Sequence, residues 1–157
     1  MEKVFEIYIK TTPEKLWEAI TQTDIRAKYN FGVGIDSDWT EGSSYSSAHE
    51  SAGVAISEGT NVEVDPPRRL VQTMTALWSD EVKSEGETRV TWEIEPVGDS
   101  CRLLVIHDQL RDDANGELYG GWMMILSGLK TLLETGGHLD TPGSLRYQEG
   151  WETADAG

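Results

Sequence analysis

The stretch Gly120-Gly121-Trp122-Met123-Met124-Ile125-Leu126-Ser127-Gly128-Leu129-Lys130-Thr131-Leu132-Leu133-Glu134-Thr135-Gly136-Gly137 decides the fold. Trp122, Ile125, Leu126, Leu129, Leu132 and Leu133 recur three and four residues apart, the spacing that gathers side chains on one face of a helix. The pattern predicts a long helix from about Leu118 to Thr135, stopped by the two glycines. Such a stripe has to be buried against something, and the chain before it reads as strands.

Working backwards, residues 101–110 alternate, with Leu103, Val105 and His107 on one face and Leu104, Ile106 and Asp108 on the other. Thr88 to Val97 sets Val90, Trp92 and Ile94 against Arg89, Thr91, Glu93 and Glu95, and Gly98-Asp99 makes the turn. The polar run Ser79 to Glu87 is expected to be a long hairpin loop after a strand from Arg69 to about Trp78. Asp65-Pro66-Pro67 marks a stop, because proline lacks the ladder donor. Gly42 to Val64 fits two strands with a break near Ser51 to Gly53.

At the start, Phe5, Ile7 and Ile9 alternate with Glu6, Tyr8 and Lys10 as a half-buried strand. Thr12 offers a capping oxygen and Pro13 suits a first helical position, so residues 13–20 form a short helix; a second covers about Thr23 to Tyr29. Phe31-Gly32-Val33-Gly34-Ile35-Asp36 resembles a phosphate-binding glycine loop only in part, since the third glycine is missing and no helix opens from it. A flexible loop at a pocket mouth is the expectation there.

This order implies an α+β fold in which a curved antiparallel sheet of about six strands grips one long C-terminal helix, with two short helices near the start. Residues 1–137 form one domain, and 138–157 an aperiodic tail whose Trp151 touches the body or a neighbour. The formal charge of −15, with no basic stripe, argues against nucleic acid and anionic membranes as partners. A single cysteine, no signal-peptide core and no membrane-length apolar run make the cytoplasm the expected location.

His49, His107 and His138 lack metal-ligand spacing, no nucleophile elbow occurs, and Cys101 has no activating neighbour, so no metal, cofactor or catalytic set is expected. Glu93, Glu95 and Arg111-Asp112-Asp113 read as solvated faces. A curved sheet and a helix that do not close fully leave a concavity, here lined by Trp17, Tyr29, Phe31, Trp78, Trp92 and Trp122 with Met74, Met123 and Met124. His107, on the inward face, is either a hydrogen-bonded core residue or a polar anchor for a ligand. The expected activity is noncatalytic binding of a small hydrophobic, aromatic or lipid-like molecule. Trp92, His107, Trp122, Leu126 and Leu129 would form the pocket, and Trp17, Tyr29, Phe31 and Met74 its entrance.

Three motifs occur in order: Pro13-Glu14-Lys15-Leu16-Trp17-Glu18-Ala19-Ile20, Val64-Asp65-Pro66-Pro67-Arg68-Arg69-Leu70, and Gly120-Gly121-Trp122 with Leu126, Leu129-Lys130 and Leu133-Glu134. Together with Ile106-His107-Asp108, they make residues 3–137 resemble the START-like (SRPBCC) helix-grip superfamily, in the branch of activators of the heat-shock protein 90 ATPase. The resemblance implies the helix-grip fold and two alternative functions: a chaperone-associated regulatory interaction domain, or a cyclase- or hydrolase-type enzyme. The chain departs from the pattern at Lys28-Tyr29-Asn30-Phe31, where relatives often carry Trp, and at Leu104 and Ile106, apolar on an outward face. The latter pair suggests a covered surface such as a homodimer contact.

Overall fold

A computed structural model describes residues 1–144. It begins with β1 (Lys3–Ile9), α1 (Pro13–Thr21), α2 (Thr23–Tyr29) and β2 (Val33–Ser37), followed by β3 (Ser44–His49), β4 (Ala55–Asp65) and β5 (Arg69–Ala76). After α3 (Asp80–Lys83) come β6 (Glu87–Val97), β7 (Ser100–Asp108), a 3-10 turn (Gly116–Leu118) and α4 (Trp122–Thr135). The seven strands form one antiparallel sheet in the order β1-β7-β6-β5-β4-β3-β2. This is the START-like helix-grip architecture.

Local chemistry sets the element ends. Thr12 Oγ1 accepts from the Lys15 amide, and Pro13 opens α1. Gly136, at φ 77°, ends α4 in the left-handed conformation that a residue without Cβ adopts at least cost. The C-terminal half of α4 is pinned to β1 where Lys130 Nζ donates to Tyr8 O and the Lys10 amide donates to Glu134 Oε2. Its close packing partners are β1, α1 and α2.

The sheet curves where the ladder is irregular: the register shifts between Ser47 and Ala48 and again between Asn61 and Glu63. Between those shifts lies Gly59. A Cβ there would sit 2.1 Å from Thr73 O and 2.8 Å from the Tyr45 ring, so only glycine fits. Tyr45, its cross-strand partner, covers the gap and donates to Thr73 O at 2.6 Å.

Three expectations change. Residues 33–37 are not a loop but the edge strand β2, whose short period-two signal, Val33 and Ile35, was masked by the interleaved glycines. It brings the strand count to seven. Within 79–87 the chain forms α3, capped by Ser79 Oγ accepting from the Val82 amide and held by Val82 packing with Ala76, Leu110 and Leu118. The long helix starts at Trp122 rather than near 118, because the 3-10 turn and Gly120-Gly121 break the run. Residues 138–144 follow α4, with Ser144 buried and Gly143 close to Met124, whereas Trp151 lies outside the described residues.

Candidate functional site

A cavity of about 480 Å³ opens between the sheet and the N-terminal half of α4. α4 packs most closely on β1, α1 and α2, and the space above β2 to β6 is left unfilled. β2 to β6 supply the floor through Val33, Ile35, Tyr45, Ser47, Ile56, Gln72, Met74, Val90 and Trp92. Glu117, Leu118, Trp122 and Ile125 form the roof, and Arg26, Asn30, Phe31 and Trp78 complete the walls. The volume falls in the range of small-molecule sites, and the lining is mostly apolar and aromatic with a few polar groups, as such sites are.

Phe31 reaches the cavity from a strained backbone, at φ 56°, that turns the chain from α2 into β2. Its ring passes beneath Gly121, where an added Cβ would lie 3.4 Å away. Trp92 and Trp122 meet edge to face at 5.3 Å, a favourable quadrupolar arrangement. Arg26, buried on α2, stands 5.0 Å over the Trp92 ring, and its Nη1 donates to Ile20 O at 2.8 Å. Burial pushes the Tyr29 phenol up to about 12 and raises that of Tyr45 as well, in both cases against the opposing charge of Arg26.

Behind the cavity runs a polarised hydrogen-bond chain. The Trp122 indole can only donate, so its 3.2 Å contact makes His107 Nδ1 the acceptor and leaves the proton on Nε2. Nε2–H then donates to Thr88 Oγ1 at 2.9 Å, and the Thr88 hydroxyl donates to Met74 O at 3.2 Å. Burial is the main cause that lowers the His107 pKa to about 4, with neighbouring Asp108 opposing it. An imidazolium would also turn an N–H against the indole N–H.

Residues 10–134 match the family model described as Activator of Hsp90 ATPase homolog 1-like protein. The chain belongs to this family. Solved structures with the same fold include protein MLL2253 from Mesorhizobium loti (TM-score 0.71, 22% identity, covering 87% of this chain and 99% of that one). CalU16 from Micromonospora echinospora gives TM-score 0.68 at 18% identity, over 86% and 77% of the two chains. The Aha1 dimer from Colwellia psychrerythraea gives 0.67 at 19%, over 87% and 98%. No curated protein matches the sequence.

In this member of the Activator of Hsp90 ATPase homolog 1-like family, four of the nine residues expected at the site line the cavity: Phe31, Met74, Trp92 and Trp122. The other five lie elsewhere. Leu126 and Leu129 are buried in the main core with Leu16, Ile20 and Leu103. Trp17 packs against that same core from α1, and Tyr29 is held there by its hydroxyl donating to Ala19 O at 2.6 Å. His107 is fully buried with both ring nitrogens engaged. Met123 and Met124 also stand apart from the lining: Met123 is 68% exposed and Met124 faces residues 138–144.

Sequence reasoning missed Arg26, Tyr45, Gln72 and Ile125 on the lining. Arg26 and Tyr29 are three apart on α2 and both buried, but an arginine beside Lys28 reads as a solvated cation. No cluster of three or more His, Cys, Asp or Glu that could hold a metal occurs among the described residues. Nor is any described helix long and apolar enough to cross a membrane.

Proposed function

We propose that this domain binds a small hydrophobic, aromatic or lipid-like molecule, without catalysis, in the cavity beneath the N-terminal half of α4. The observation that carries the reading is the cavity itself: about 480 Å³ of space walled by Phe31, Met74, Trp78, Trp92 and Trp122, whereas the concavity of about 580 Å³ lined by Asp36, Asp38, Glu58 and Glu87 is polar. Two of its buried polar neighbours are occupied in ways that suit binding rather than turnover: Tyr45 donates to Thr73 O, and Gln72 to Asn61 Oδ1. His107 supports the Trp122 wall from behind, and the cytoplasm is the proposed location.

The test uses N-phenyl-1-naphthylamine, a neutral probe that fluoresces in apolar surroundings. It should bind with one-to-one stoichiometry, and Met74→Trp, which fills the cavity, should abolish the signal in a protein that still folds. Absence of saturable binding to the unaltered protein, or an undiminished signal in the folded Met74→Trp variant, would refute the reading. Native mass spectrometry of freshly purified protein would then identify any bound molecule.

Family membership favours a second reading, regulation of a chaperone ATPase, tested by adding the purified domain to heat-shock protein 90. Stimulated ATP hydrolysis supports it, and an unchanged rate counts against it. Self-association is also proposed. On the outward face, Val4 opposes Ile106 and Tyr8 opposes Arg102, with Val4 52% and Tyr8 49% exposed. Such a strip suits a contact with a second copy.

A further inference from the structure

The cavity's most unusual lining group is Arg26. Arginine is seldom buried without a partner, because removing its charge from water costs more than one neutral hydrogen bond returns. Here it is 8% exposed. Each of the other five arginines among the described residues holds a carboxylate: Arg68 with Asp65, Arg69 with Glu63, Arg89 with Asp108, Arg102 with Glu6, and Arg111 with Glu85. Arg26 forms no ion pair among the described residues, although the chain carries 28 acidic side chains.

What it has instead is one carbonyl, Ile20 O, and the face of Trp92. Its Nε is buried with no acceptor. The Trp92 indole Nε1 is the second buried donor without an acceptor, and both residues line the same cavity. An uncompensated cation therefore stands at the wall of an apolar chamber, stacked on Trp92, and each of the two residues carries an orphaned donor that is covered by protein beside that chamber. Buried unpaired donors are rare and call for a partner.

We infer that the cavity's ligand is an apolar molecule with one carboxylate head, and that Arg26 is its counter-ion. A carboxylate supplies the missing negative charge and the acceptor lone pairs, and the guanidinium fork matches its geometry. The apolar body lies along Phe31, Met74 and Trp122. Glu117, the acidic side chain on the lining, is exposed on the 3-10 turn, where water screens it. This inference rests on the binding reading above and goes further by naming the ligand's chemical class.

The experiment displaces N-phenyl-1-naphthylamine with matched pairs: decanoate against 1-decanol, and 2-naphthoate against its methyl ester, so that alkyl and aromatic acids are separated. In the unaltered protein at pH 7 at least one acid should compete roughly tenfold better than its neutral partner, as a charge-assisted buried bond requires. In Arg26→Met that ratio should fall to about one.

Equal competition by acid and neutral partner in both pairs overturns the inference while leaving the binding reading intact. A tenfold ratio that survives in Arg26→Met overturns the role of Arg26. No binding of the fluorescent probe overturns both proposals. Should Arg26→Met fail to fold by circular dichroism, Arg26→Gln replaces it, and the ratio in the unaltered protein decides the ligand class without any variant.

Discussion

His107 is held neutral chiefly because the ring is buried away from water, and the Trp122 indole N–H pointing at Nδ1 suits that neutral form. Its pKa in the fold, about 4, lies below the ordinary 6.5, so between those values the unfolded chain binds the extra proton and the folded one does not. Stability therefore stands at its full value above pH 6.5 and is lost as the pH falls toward 4, by up to about 3 kcal/mol from this residue. Urea melts of the unaltered protein should show that slope. His107→Leu should remove it, while costing about 1–3 kcal/mol at pH 7 because the indole N–H and Thr88 lose their partner. A variant with the same acid limb would contradict the assignment. The sequence showed that His107 faces inward, since strand parity alone decides that. It could not show which groups the ring would meet, because Trp122 and Thr88 come from other elements.

Among the elements, the one that shapes the site is β4, through the bend at Gly59. Gly59→Ala should destabilise the domain by about 1–3 kcal/mol, since the new methyl must displace both the Thr73 carbonyl and the Tyr45 ring. Denaturant unfolding checks the size. A neutral effect would mean that the sheet does not need this bend. The outward strip on β1 and β7, where Val4, Tyr8, Leu104 and Ile106 flank the Glu6–Arg102 ion pair, gives a separate expectation: small-angle scattering should report a dimer, and Ile106→Glu should return it to a monomer. A monomer at all concentrations would remove the self-association proposal. Long periodic elements were legible because a repeated spacing outvotes single residues, as in α4 and β6. β2 and α3 were not, because five and four residues carry too few repeats, and their existence depends on pairing with β3 and packing under Leu118.

Taken as a whole, the molecule keeps its cavity because only part of α4's apolar stripe packs solidly, although both ends of the helix are tied down, Trp122 to His107 and Lys130 to Tyr8. Lys130, Glu134, Leu126 and Leu129 close the helix onto β1 and the main core, while Trp122 and Ile125 stand over the curved side of the sheet. The amphipathic stripe announced that α4 covers the sheet. It did not announce which positions of the stripe pack solidly, since every apolar position on a helix looks alike before the sheet's curvature is known. This is why Leu126 and Leu129 belong to the core and Ile125, one residue away, to the cavity.

Chemical-shift mapping of the tryptophan indole N–H signals during titration with N-phenyl-1-naphthylamine tests the binding chamber most directly. Trp78, Trp92 and Trp122 line the cavity, whereas Trp17 and Trp39 do not. Saturable shifts of the first three are expected, with the signals of Trp17 and Trp39 unmoved. Shifts of Trp17 and Trp39 alone, or no saturable shift at any of the five, would contradict it.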